Sequence, residues 1–121
     1  MFEYPNLSYN LNRYTSDSIF KYENFEVSFF RTNHSIPDSF GIAFKTRLGY
    51  IVNTGDFKFD FTPLGPGSDY YKMAKLGNEG VLCLLADSTN ANIPTFSLSE
   101  KKIAQNIKET FKTVKGRIIV A

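Results

Sequence analysis

From Phe25 the chain alternates apolar and polar residues. Phe25, Val27 and Phe29 are separated by Glu26 and Ser28, which predicts a half-buried strand ending near Arg31. A polar loop over 32–39 follows, and a second strand from Phe40 to Thr46 puts Phe40, Ile42 and Phe44 on one face. Arg47-Leu48-Gly49 has the make-up of a hairpin loop, with glycine where a positive φ is needed. Tyr50 to Thr54 returns as a third strand and stops at Gly55-Asp56. Two prolines and two glycines in 62–67 require a loop. Ser68 or Asp69 is then placed to cap a short helix through Leu76, closed by Gly77. Val81 to Ala86 is apolar throughout, the pattern of a strand covered on both faces, and 87–96 is again a loop. Ser97-Leu98-Ser99-Glu100 reads as a capping box in which the Ser97 hydroxyl and the Glu100 carboxylate satisfy free amides at a helix start. Behind it Ile103, Ile107, Phe111 and Val114 share one helical face, with lysines opposite. Gly116 ends that helix, and Arg117 to Ala121 begins a buried strand. The first two dozen residues, rich in Asn, Tyr and Ser, are irregular or hold an edge strand. Repeats and low-complexity segments are absent from the sequence.

Composition narrows the picture only a little. A chain of 121 residues suits one domain, and 42% apolar with 21% charged residues is the balance of a folded protein. A net charge of +2 gives no general pull toward nucleic acid, so any such contact must be local or come from sequence outside this stretch. The single cysteine, Cys83, excludes an internal disulfide and reads as a small buried hydrophobe. The opening MFEYPNLSYN has neither the basic start nor the apolar core of a signal peptide. No run approaches the ~20 apolar residues of a membrane span, and the expectation is a cytoplasmic protein.

Chain topology gathers three residues that carry chemistry. The strand from Phe40 leaves the His34 loop, and the hairpin at Gly49 sends the chain back over a similar length. At ~3.3 Å per residue each leg runs about 20 Å, so Asp56 returns to the end of the sheet where His34 lies. A strand–helix–strand crossover makes the strands ending at Thr54 and Ala86 parallel, which brings Asp87 to the same end. Ligand sites in α/β sheets lie beyond the carboxyl ends of parallel strands, so His34, Asp56 and Asp87 are expected to converge there. Each also has a plainer reading. A lone loop histidine is commonly just solvated, and an aspartate after a strand is commonly a turn former or cap.

Three segments carry a resemblance. They are Asn33-His34-Ser35-Ile36-Pro37-Asp38-Ser39, Thr54-Gly55-Asp56-Phe57-Lys58-Phe59-Asp60 and Ala86-Asp87-Ser88-Thr89-Asn90, with the stretch from Glu79 to Leu85 beside them. In order and spacing they resemble the ribonuclease J family, from about Phe25 to the end of the chain. The resemblance implies an α/β fold, part of a metallo-β-lactamase αββα sandwich with a mixed sheet and flanking helices. It implies that residues 1–121 are the C-terminal part of that domain, running into the start of the β-CASP region near 117–121. It implies a zinc ligand at His34 (third metallo-β-lactamase motif), a carboxylate bridging two zincs at Asp56 (fourth motif) and a site-orienting acid at Asp87 (first β-CASP motif). Imidazole and carboxylate suit zinc, with manganese possible where oxygen ligands predominate.

The activity implied is hydrolysis of RNA phosphodiesters, 5′-to-3′ exonucleolytic and also endonucleolytic, in an enzyme that is homo-oligomeric when intact. Two departures matter. The main His-x-His-x-Asp-His metal motif and the histidine motifs of the β-CASP domain are not in this sequence. The chain is therefore expected to be an incomplete and by itself inactive piece. Alternatives are a non-catalytic interaction module or another metallo-β-lactamase-fold hydrolase, the latter disfavoured by Asp87-Ser88-Thr89-Asn90.

Overall fold

A computed structural model describes residues 11–119. It is α/β, as expected, with strands β1 (Ile19–Lys21), β2 (Glu26–Arg31), β3 (Phe40–Thr46), β4 (Gly49–Asn53) and β5 (Val81–Leu85) and helices α1 (Tyr70–Glu79) and α2 (Glu100–Thr113). The strands form one mixed sheet in chain order: β1 to β4 pair antiparallel, and β4 pairs parallel with β5. This is the sheet expected of a metallo-β-lactamase-type piece. β1 is the short edge strand left open by the N-terminal composition, while residues 1–10 lie outside the described ones.

Gly49 turns the β3–β4 hairpin. Its φ of 140° is closed to most side chains, and the Thr46 hydroxyl fastens the turn by donating to the Gly49 carbonyl at 2.8 Å. The α1 crossover then delivers β5 beside β4 in parallel, as the handed connection between them requires.

The core lies on one face of the sheet, where Phe30, Ala43, Tyr50 and Val52 pack with Met73 and Leu76 of α1. On β3 this core is met by the face opposite Phe40, Ile42 and Phe44. Gly41 and Ala43 are its buried positions, whereas Phe40 and Ile42 are half-buried and Phe44 is exposed. The reason is the Phe30 ring, which occupies the space above Gly41; a Cβ there would lie 2.1 Å from a ring carbon. Phe25 is likewise exposed, while Phe29 is covered on the opposite face by Tyr14, ring stacked on ring at 4.1 Å.

Other expectations are corrected. β5 is not covered on both faces: it stands at the edge of the sheet, all five of its residues are exposed, and Cys83 is exposed with them. An apolar run reports what a strand could bury, not what this stretch of chain lays over it. α1 continues past Gly77 to Glu79 and is closed by Gly80, whose amide donates to the Leu76 carbonyl. The α2 N-cap is Ser99 rather than Ser97, accepting from the Lys102 amide at 3.3 Å, and Glu100 turns away from the helix start to other partners described below. α2 ends at Thr113 with Val114 as its cap, and its Ile103–Ile107–Phe111 stripe is exposed. Residues 117–119 are not a strand, and 120–121 lie outside the described residues.

Candidate functional site

The site grows from the parallel pairing of β4 and β5. Both strands run out at the same end of the sheet, and the chain beyond each carries a carboxylate. Thr54 stitches the two exits together. Its amide donates to the Leu85 carbonyl at 3.0 Å, and its Oγ1 accepts from the Asp87 amide at 3.2 Å. Gly55 then turns the chain with φ 58°, and an added Cβ would meet the Phe40 carbonyl oxygen at 2.9 Å, so glycine precedes Asp56 for want of room. Asp56 and Asp87 consequently line one cavity beside Asn53 and Leu85. The expected convergence of these two carboxylates is borne out.

Asp56 is exposed and Asp87 half-buried. Asp87 Oδ1 accepts from the Thr89 hydroxyl at 2.6 Å and from the Thr89 amide at 2.9 Å, the geometry of an aspartate that shapes its own turn. These Thr89 bonds hold the carboxyl below its ordinary range against the opposing effect of burial, with smaller help from the Phe57 amide and the charge of His34. Asp87 thus stays ionised at neutral pH.

His34 is half-buried and close enough to contribute to the charge balance of Asp87, but it lines a neighbouring cavity with Asn33, Pro66 and Glu100 rather than the one Asp56 and Asp87 share. The three residues gather at one rim without closing on one point. The Ile36 amide donates to His34 Nδ1 at 3.3 Å, so Nδ1 serves as an acceptor within its own loop. Ligation through Nδ1 requires this contact to open; ligation through Nε2 requires Nδ1 to become the donor.

The donor set fits a divalent cation in kind, since imidazole and carboxylate oxygen suit zinc or manganese. It does not fit in number. Among the described residues no group of three or more His, Cys, Asp or Glu is placed to hold a metal ion. His34, Asp56 and Asp87 supply part of a coordination environment.

Sequence reasoning missed the polar residues that hold these loops. Asn33 and Asp60 are buried at 6% and 3% exposure. Asp60 Oδ1 accepts from the Thr62 amide at 2.9 Å and Oδ2 from the Glu100 amide at 2.8 Å. Lys58 Nζ lies 3.4 Å from Asp60 and 3.2 Å from Glu100, whose other oxygen accepts from the Leu64 amide at 2.9 Å. No periodicity marks such residues. The nearest available signal was a lysine, an aspartate and a glutamate flanking a loop of prolines and glycines.

No protein-family profile matches the chain. Among curated proteins it is 56% identical over 100 residues to ribonuclease J 1 of Streptococcus pyogenes serotype M3, covering 83% of this chain and 18% of that protein. Ribonuclease J2 of Bacillus subtilis is 49% identical over 93% of the chain, and ribonuclease J of Mycoplasma pneumoniae is 43% identical over 88% of it. The chain spans about a fifth of the length of these relatives (18%, 20% and 19%). With such identity over nearly the whole chain, the chain belongs over that stretch to the ribonuclease J family.

Proposed function

We propose that this chain forms one wall of the active site of a metal-dependent ribonuclease of metallo-β-lactamase fold and β-CASP type, hydrolysing RNA phosphodiesters from the 5′ end and internally. The observation that carries the reading is the pair of carboxylates, Asp56 and Asp87, on one cavity at the carboxyl ends of β4 and β5. His34 and Asp56 would supply ligands to zinc or manganese, with the remaining ligands coming from outside this stretch. A metal held there would lower the pKa of water and offset the charge that builds on a phosphodiester under attack. The chain's own residues do the rest. Asp56 contributes a carboxylate that is already exposed to the cavity. Asp87 stays ionised and presents a fixed acceptor at the rim, orienting the groups that face it. Thr54 keeps the two at a constant separation through the strand ends it joins.

We further place the whole enzyme in the cytoplasm as a homo-oligomer. No described helix is long and apolar enough to cross a membrane.

The test compares two variants of the protein that carries this chain. Asp56→Ala is expected to lower both metal content and turnover, the latter by several orders of magnitude, because a bridging ligand is lost. Asp87→Ala is expected to keep most of the metal and lose ~10–100-fold in turnover, as is usual for an orienting partner. Metal analysis and single-turnover cleavage of a 5′-monophosphorylated RNA read both. Equal stripping of metal by the two variants would reverse the roles given to Asp56 and Asp87. Unchanged turnover in both would make the chain a non-catalytic interaction module.

A further inference from the structure

Asp60 lies buried on the segment that leaves Asp56, and its side chain joins stretches of chain forty residues apart. Oδ1 accepts from the Thr62 amide at 2.9 Å, within its own turn. Oδ2 accepts from the amide of Glu100, the first residue of α2, at 2.8 Å. Lys58 Nζ, 3.4 Å from Asp60 Oδ2 and 3.2 Å from Glu100 Oε1, serves both carboxylates. Beside them the Thr62 carbonyl accepts from the Lys101 amide at 3.3 Å. α2 has a local cap without Asp60, since Ser99 accepts from the Lys102 amide. What the distant carboxylate adds is a fixed place for the helix start. Residues 87–99 connect β5 to α2, and both ends of that loop are tied to the short segment 54–60: the Asp87 amide to Thr54 Oγ1 at one end, the Glu100 amide to Asp60 Oδ2 at the other. Opening the far tie would strip a buried carboxylate of a donor, which keeps it closed.

We propose that Asp60 is a positioning residue of the Asp56–Asp87 rim, fastening the far end of the Asp87 loop to the segment that carries Asp56. The inference rests on the reading of that rim as an active-site wall. A loop pinned only at Asp87 can swing about that end. Pinned at both ends, it stays in one place relative to Asp56, so that substrate binding does not have to order it. A plain helix cap acts on α2 alone, and the two roles therefore differ in which amides loosen when the carboxylate is removed.

The experiment measures amide hydrogen exchange by NMR in the full 121-residue chain. It compares Asp60→Ala and the milder Asp60→Asn with Leu76→Ala, which weakens the core from α1. The amides of Asp87, Thr89, Ala91 and Ile93 all donate hydrogen bonds at or within the loop. In Asp60→Ala they are expected to exchange about tenfold faster, beyond any change at Ala43 and Val52, the order of one lost hydrogen bond to a charged group. Asp60→Asn is expected to fall between, and Leu76→Ala to speed loop and core amides in equal proportion. Loosening confined to Thr62 and Glu100 would overturn the proposal and leave Asp60 a cap. Equal loosening of loop and core in both Asp60 variants, or their unfolding, would also overturn it, since the role is then global. In the protein that carries this chain, Asp60→Ala is expected to slow single-turnover cleavage of a 5′-monophosphorylated RNA ~10–100-fold, the usual loss for a supporting partner. Full turnover in Asp60→Ala beside an inactive Asp56→Ala would sink this inference alone. Full turnover in Asp56→Ala would sink the active-site reading itself.

Discussion

Thr54 and Asp87 are joined across the ends of two parallel strands, the Asp87 amide donating to Thr54 Oγ1 at 3.2 Å. A hydroxyl at the last position before Gly55 thereby sets where the β5 exit loop starts relative to the β4 exit loop. Thr54→Val keeps the shape and β-branching but leaves the Asp87 amide without that acceptor. The expected cost is about 1 kcal/mol, seen as a melting temperature lower by a few degrees, together with shifted Asp87 and Thr89 amide resonances. Unmoved Asp87 and Thr89 signals would show that the stitch does not place the loop.

The Phe30–Gly41 contact gives a sharper test of the core. An alanine Cβ at position 41 would sit 2.1 to 2.8 Å from three atoms of the Phe30 ring, so the ring must move off its place over Ala43 and Val52. Gly41→Ala is expected to destabilise the chain by ~1–3 kcal/mol, the usual effect of overpacking. Combined with Phe30→Leu the cost is expected to fall below the sum of the single changes, because the smaller side chain vacates the clash. Strict additivity in denaturant melts would mean the two positions do not touch.

Much of this arrangement was legible in the sequence. The hairpin at Gly49 and the parallel crossover to Val81 follow from turn chemistry and handedness, and they alone bring Asp56 and Asp87 to one cavity. Facing was not legible. Phe40-Gly41-Ile42-Ala43-Phe44 carries its large side chains on one face, yet the core sits on the other because Phe30 fills what Gly41 leaves open. The α2 start misled for a similar reason. Glu100 had the spacing of a capping partner for Ser97, but Lys58 and the Leu64 amide compete for its carboxylate, and those come from a loop about forty residues earlier (the backbone link Lys58–Asn33 reaches further back still). Local patterns cannot register partners so distant in sequence.

Asp60 makes the fold sensitive to acid. Its carboxylate accepts from the Glu100 and Thr62 amides beside Lys58, and these bonds, the Glu100 amide first, hold its pKa below the ordinary aspartate value. A depressed folded-state pKa means stability that is complete above the unfolded value near ~3.9 and lost as pH falls through the lower, folded one. Melts of the natural chain are therefore expected to weaken from about pH 4 downward. Asp60→Asn, which keeps an acceptor but not the charge, is expected to be less stable at neutral pH and to show a flatter acid limb. An acid limb of the same steepness in the variant would assign the effect to other carboxylates, Glu79 and Glu100 among them.

β5 supplies the last prediction. It is the terminal strand of the sheet, and Val81, Leu82, Leu84 and Leu85 are 39%, 60%, 60% and 52% exposed. Beside it Leu84 and Val81 line an apolar cavity of about 340 Å³ with Phe30, Phe59, Met73 and Leu76. An apolar strand edge with unpaired backbone groups is a template for a second strand, and burying two leucines contributes roughly 3–6 kcal/mol. At tens of micromolar the chain by itself is expected to self-associate through β5. Cys83, exposed at the middle of that strand, reports the event without a label. In dilute solution its thiol is expected to react with a coloured disulfide reagent as readily as in the denatured chain, and to become protected as concentration rises. Leu84→Lys places a charge on the same edge, and is expected to abolish both the association seen by sedimentation and the concentration-dependent protection of Cys83. Protection already complete in dilute monomer would mean that Cys83 is covered within the chain, and that β5 is not the open edge described above.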